Sequence, residues 1–203
     1  MRKQQKQRMY ENPILELLSL SGPKMMIVFH LIVATLSILF GNKIMYGFPI
    51  GRQFLLFFSG ILVWTFTEYV MHRYVFHWVG KSKAGKAFHY AMHGYHHDHP
   101  TDYNRLFMPP VPAILLLSLF FGLFYIFLGP KAWYFTPGFE IGYLLYSLVH
   151  YAVHTKMKFR FLIPLSLHHD IHHFRHSDKA YGVSSRFWDR VFGTLPDQKI
   201  HKQ

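Results

Sequence analysis

The sequence predicts an all-α integral membrane protein in which four transmembrane helices carry a cytoplasmic helical cap that holds a histidine-rich site. Three observations lead there. Of 203 residues, 51% are hydrophobic, and they gather in long uncharged runs, the habit of chains that cross a bilayer. The 16 histidines are bunched, with five of them between His89 and Pro100. The 22 Lys and Arg outnumber the 10 Asp and Glu and fall almost entirely on one side of the predicted spans. A net charge of +12 also suits nucleic-acid binding, but no basic stripe stands apart from the apolar runs, so the charge is read as the cytoplasmic excess of a membrane protein. With no cysteine, disulfides, thiolate zinc sites and cysteine-ligated iron-sulfur or haem centres are excluded.

The first ten residues are basic and polar, with Arg2, Lys3, Lys6 and Arg8 and no apolar run directly behind them, unlike a cleaved signal peptide. Asn12 and Pro13 then start a short helix through Ile14, Leu15, Leu17 and Leu18, proline being suited to the first helical position. It is too short to span, and lies either in the membrane interface or packed against the rest of the fold. Residues 1–22 are therefore taken as a basic segment with an interfacial helix, and 23–203 as the membrane domain.

Residues 25–40 are apolar, but a helix of that length covers only about 24 Å at 1.5 Å per residue, a marginal span that Pro23 and Gly41 can extend. Gly41, Asn42, Lys43, Gly51 and Arg52 punctuate a loop before the second span, which begins at 54 and runs through Thr67 into Glu68 and His72. Met108-Pro109-Pro110 breaks any helix arriving from the polar side and opens the third span, 111–129, which Gly129-Pro130-Lys131 turns. Thr136-Pro137-Gly138 reads as the start of the fourth, 141–153, with His150 and His154 at its far end. The remainder is polar and basic. Four spans with a cytoplasmic N-terminus leave only Lys43, Arg52 and Lys131 outside and the other 19 of the 22 Lys and Arg inside, the positive-inside pattern. The same threading brings every histidine cluster to one cytoplasmic face, of a bacterial inner membrane or of the endoplasmic reticulum.

On an α-helix His89, His93, His96 and His97 form one stripe about two turns long. His169, His172 and His173 repeat the spacing of His93, His96 and His97, so two matching half-sites are expected. His150 and His154, one turn apart, can reach a common ion. His72 and His77 stand about 140° apart on an ideal helix and are expected to serve different ions, unless the helix ends between them. A lone histidine is most often an ordinary core residue, and His30 and His201 are read that way. Ten at ligand spacing are not, because spare imidazoles buried together would lack partners when neutral and repel when charged. Glu68, one turn before His72, is either a charge at the interface or a partner that orients a ligating histidine. Ten ligands are too many for one ion, and two ions with about five nitrogens each use them all. Imidazole suits zinc, copper, iron and nickel alike. Five nitrogens per ion favour a catalytic, oxygen-binding metal over a closed tetrahedral one.

The histidine groups around His72-Arg73-Tyr74-Val75-Phe76-His77, His93-Gly94-Tyr95-His96-His97, His150 to His154 and His169 to His173 resemble the boxes of the membrane fatty acid hydroxylase and sterol desaturase superfamily. The run from His93 through Asp98-His99-Pro100-Thr101-Asp102-Tyr103-Asn104-Arg105-Leu106 to Met108-Pro109-Pro110, and Gly182-Val183-Ser184-Ser185 with Trp188-Asp189, are similar to its fatty acid 2-hydroxylase branch. The resemblance implies a helical membrane enzyme with a non-haem dimetal centre that uses O2 and two electrons to hydroxylate a lipid. It implies His72, His77, His93, His96, His97, His150, His154, His169, His172 and His173 as metal ligands, with Glu68, His89, His168, His99 and His176 as auxiliary residues nearby. The expected ions are two iron ions, with zinc able to replace them in overexpressed material. C2 of a long acyl chain is the expected site of attack, and Arg105 is expected to bind the substrate's carboxylate or amide oxygen. Eukaryotic members of the branch carry a fused cytochrome b5 domain with a His-Pro-Gly-Gly motif. Here the only His-Pro is His99-Pro100, followed by Thr101, so a separate electron donor is expected, a cytochrome b5-like protein, a ferredoxin or a reductase. A sterol or carotenoid hydroxylase or desaturase is the nearest alternative. A metal-ion transporter or carrier is another, disfavoured because the histidines gather at one face and leave no ionisable path through the spans beyond Glu68, His30 and His150.

Overall fold

The computed structural model describes residues 8–196; most of the basic N-terminal segment, and His201, lie outside the described residues. The described residues are helical, with no strand among them. Asn12 caps α1 (Pro13–Leu18), its side-chain oxygen accepting from the amides of Ile14 and Leu15 at 2.9 and 3.3 Å. That satisfies two of the amides a first turn leaves free.

Three stretches are long and apolar enough to cross a membrane: Pro23–Ile44, Ile50–Phe76 and Tyr103–His154. The first is α2 (Pro23–Ile44), and the second is α3 (Ile50–Val70) with a π-helical turn, Met71–Phe76, at its end. The third contains two helices, α6 (Pro110–Leu128) and α7 (Ala132–His154), joined at Gly129, whose φ of +58° lets the chain turn. Phe124 packs on Phe135 and Phe120 on Phe139, so numbers fall on one helix as they rise on the other. α6 and α7 are therefore an antiparallel hairpin. Large apolar side chains such as Leu36, Leu55, Leu62, Leu119 and Phe127 face outward, as they do where hydrocarbon is the solvent.

α7 is the central helix, packed against α2, α3 and α6. At Gly138 an added Cβ would lie 1.8 Å from the Phe57 carbonyl oxygen, and at Gly60 one would lie 2.2 Å from that of Phe135. The backbones of α3 and α7 thus touch. This corrects the reading of Thr136-Pro137-Gly138 as the start of a span. The helix is already running from Ala132, Pro137 sits inside it, and Gly138 is there to let another helix approach. The earlier start has a consequence for charge: Glu140 lies within α7, buried, 3.0 Å from Nδ1 of His30 on α2.

The cap sits where α3 and α7 end. It comprises α4 (Lys83–His89), a second π turn (Tyr90–Gly94), α5 (Tyr95–Asp98), α8 (Ile163–Phe174), α9 (Phe187–Val191) and the loops between them. α1 joins it from the other end of the chain, because Glu16 pairs with Arg105 and the Ser21 hydroxyl donates to the Phe107 carbonyl.

Candidate metal centre

Ten imidazoles converge where α3, α5, α7 and α8 meet. They divide into two groups, His72, His77, His93, His97 and His172 in the first half-site and His96, His150, His154, His169 and His173 in the second; within each, the ligand nitrogens all lie within 4.8 Å of one another. His72 and His77 belong together, against the expectation that they serve different ions. Met71–Phe76 is a π turn, whose i→i+5 bonding returns residues five apart to one face. The sequence gives no periodic sign of it.

The triples His93/His96/His97 and His169/His172/His173 do not each form a half-site either. His93 and His97, one turn apart, join His172 of the other triple; His169 and His173, one turn apart, join His96. Residues four apart share a helix face, while the neighbour one position away points about 100° aside. Each triple is therefore split between the two half-sites.

The donor set fits metal. Nε2–Nε2 separations are 3.0 Å for His72–His93 and His93–His97, 2.9 Å for His77–His172, and between 2.8 and 3.1 Å along the chain His173–His96–His150–His154–His169. Nitrogens about 2.1 Å from an ion lie about 3.0 Å apart at right angles and about 3.4 Å apart at tetrahedral angles. The observed spacings are those that nitrogens sharing an ion would have. Burial, then repulsion from neighbouring imidazoles, holds His93, His96 and His169 well below the ordinary histidine range, with His77 at about 3, His97 at about 4 and His173 at about 2. Each shift favours the neutral imidazole, the form whose lone pair a metal uses.

The auxiliary residues lie outside both groups. His89 donates from Nδ1 to the Phe76 carbonyl at 2.8 Å, His99 stacks on Tyr95 at 4.6 Å, His168 holds Asp189 at 2.9 Å, and His176 is exposed. The hydrogen bonds of Glu68 go to residues other than His72. Its carboxylate accepts from the amides of Val183 and Ser184 at 2.8 and 2.9 Å and from the Ser184 hydroxyl.

Those contacts belong to a strap, residues 179–184, of which only Gly182-Val183-Ser184 falls in a motif visible in the sequence. His72 donates from Nδ1 to the Tyr181 carbonyl at 2.5 Å, and His172 to the Lys179 carbonyl at 2.7 Å. Asp189, fully buried, accepts from the amides of Tyr181 and Gly182 at 2.9 and 2.8 Å and from the Thr194 hydroxyl at 2.7 Å. Burial alone would raise its pKa; the hydrogen bonds from His168, Thr194 and Gly182 outweigh it and keep the carboxyl below the ordinary range. A Cβ at Gly182 would lie 2.0 Å from the Ser185 carbonyl oxygen, so only glycine fits. The strap thus holds two carbonyls against two ligands of the first half-site, fixing ring orientation.

A cavity of about 480 Å³ leads away from the ligands, with His93, His96 and His150 at one end and Trp64, Leu116, Phe120 and Tyr143 among the apolar walls. α1 lies over it through Leu15, Leu18 and Ser19. Arg105 also lines it, but its guanidinium pairs with Glu16 and Asp102 and donates to Ser19 at 3.1 Å. These contacts tie the Arg105 side chain to α1 through Glu16 and Ser19.

The fatty acid hydroxylase family matches residues 57–194. A dihydroceramide fatty acyl 2-hydroxylase of Arabidopsis thaliana is 41% identical over 146 residues, 71% of this chain and 62% of that protein. The fatty acid 2-hydroxylase of Mus musculus is 38% identical over 151 residues, 72% and 41%, and the ceramide very long chain fatty acid hydroxylase of Saccharomyces cerevisiae 37% over 154, 72% and 40%. The chain spans 62% of the plant relative's length and 41% and 40% of the mouse and yeast ones. Among solved structures, full-length Scs7p, in which only the hydroxylase domain is visible, matches with a TM-score of 0.84 at 32% identity, over 92% of this chain and 71% of that one.

Proposed function

This chain belongs to the fatty acid hydroxylase family, and from that premise we propose that it hydroxylates C2 of a long acyl chain lying in the bilayer. The observation that carries the reading is the apolar cavity that begins at His93, His96 and His150 and continues between the membrane helices. A lipid with its polar end at the interface and its tail in that cavity presents the carbons next to its head group to the ligands. The names of the relatives, 2-hydroxylases of fatty acids and ceramides, support the same carbon and class.

The ten histidines would hold two iron ions, which when bound would supply O2 activation and insertion of one oxygen atom into the C2–H bond, the second oxygen leaving as water with two electrons from a donor protein and two protons from solvent. The chain's own residues do the rest. The strap and the π turn at Met71–Phe76 orient the first half-site, Trp64, Phe120 and Tyr143 hold the tail, and α1, fastened by Glu16 and Arg105, keeps bulk water from the cavity. The four helices α2, α3, α6 and α7 each cross the membrane, with both termini and the cap cytoplasmic. A cysteine placed at Lys131 is expected to be labelled from the outside and one at Lys179 only after permeabilisation; the reverse would overturn this threading.

Expression in a host that makes no 2-hydroxy lipids, followed by mass spectrometry of the released fatty acids, tests the reaction. We expect 2-hydroxy acids whose new oxygen comes from labelled O2. Hydroxylated sterol or carotenoid without any 2-hydroxy acyl chain would overturn the assignment.

A further inference from the structure

The stripe of α7 that carries His150 continues through Tyr146 and Tyr143 to Glu140, each three or four residues further from the ligands. Glu140 and His30 line a second, small cavity of about 40 Å³. Trp64, Met108, Leu116, Phe120 and Tyr143 line this space and the acyl cavity alike, so the two adjoin. His30 and Glu140 are 3% and 2% exposed, and their Nδ1 and Oε1 meet at 3.0 Å. Their other polar atoms, His30 Nε2 and Glu140 Oε2, are buried and have no partner among the described residues. The space is roomy enough for water. An apolar group pushed into it would bury both atoms unpaired, which is unfavourable. Ionisable side chains at membrane depth are rare and mark function more often than packing.

We infer that His30 and Glu140 form a polar stop at the far end of the acyl cavity, a site that takes water or a hydroxyl and turns back a methyl terminus, and so sets the length of chain the enzyme accepts. The inference rests on the acyl-lipid reading above. Ten residues of helix separate Glu140 from His150, or about 15 Å. At roughly 1.25 Å of advance per C–C bond, that is about a dozen carbons beyond the reacting one.

The test feeds a graded series of even-numbered saturated fatty acids to cells expressing the wild type or the double variant His30→Leu with Glu140→Leu, and reads the chain-length profile of the 2-hydroxy products. Removing both partners together avoids stranding one charge. The profile should shift upward by at least one two-carbon step in the double variant, and His30→Gln with Glu140→Gln, which keeps polar atoms in place, should restore the wild-type limit. A merely structural pair would change the amount of product and leave the profile as it was. In parallel, the purified wild-type holoenzyme is photolysed with a long-chain fatty acid bearing a terminal diazirine. Label on Trp64, Leu116, Phe120 or Tyr143, which line both spaces, supports the stop, and decides the matter if the double variant makes no product. An unchanged profile, label confined to α1, or label on Ala113, Leu117 or Phe139, which line the small space alone, overturns it. A wild type that makes no 2-hydroxy acids sinks the substrate reading instead, a separate outcome that leaves the label to judge the stop.

Discussion

The two half-sites present the same number of imidazoles in different surroundings. In the first, His72 and His172 give their Nδ1 protons to carbonyls of a strap that is itself held by Asp189 and Glu68. In the second, the buried Nδ1 atoms of His169 and His173 have no partner among the described residues, and that of His150 falls short of a formed hydrogen bond to the Leu106 carbonyl. Outer hydrogen bonds fix a ligand's tautomer and direction and strengthen it as a base. The rings of His72 and His172 are therefore held in direction by the strap, a restraint that His169 and His173 lack among the described residues. Two of the three histidines that line the cavity, His96 and His150, belong to the second half-site, so the cavity opens mainly onto the group that the strap does not hold.

The neighbours His96 and His97 test this division most severely, since they serve different half-sites. Alanine at either should abolish 2-hydroxylation and lower bound metal from two ions to about one. Elemental analysis after a chelator challenge should find that His96→Ala keeps the resistant ion and His97→Ala the labile one. Loss of the same ion from both would break the split assignment. Asp189→Asn should weaken metal binding at the first half-site by roughly 10- to 100-fold, the usual effect of losing an outer partner, and so erase most of the difference between the two. In the wild type, chelator titration should remove the ions in two phases about tenfold apart, the second half-site first; a single phase would mean that the strap does not set affinity. The smallest effect is expected at Glu68→Gln, which keeps an oxygen for the amides of Val183 and Ser184. It should cost no more than about 1 kcal/mol, read as a shift of a few degrees in Tm.

Helix class, the apolar runs and the gathering of the ten histidines were legible because imidazoles at helical spacing and long uncharged runs are properties of residue type. What stayed hidden depends on backbone. The π turn that pairs His72 with His77 leaves no periodic trace, and the carbonyls of Lys179 and Tyr181 could belong to any residue. Asp189 had a signal in its place behind Gly182 and Trp188, but its target is a main-chain amide. Pro137 and Gly138 misled for the opposite reason. Proline and glycine punctuate loops in most sequences, and here they lie inside a helix whose neighbour comes within backbone contact. That error moved Glu140 out of the membrane and left His30 looking solitary.

The same pair constrains how the protein is made. His30 enters the bilayer with α2, and Glu140 follows 110 residues later. At about 5 to 20 residues per second, translation leaves the imidazole waiting roughly 5 to 20 s for its carboxylate. During that interval lipid offers it no hydrogen-bond partner. A chain that stops short of α7 therefore carries His30 without the carboxylate it meets in the finished fold.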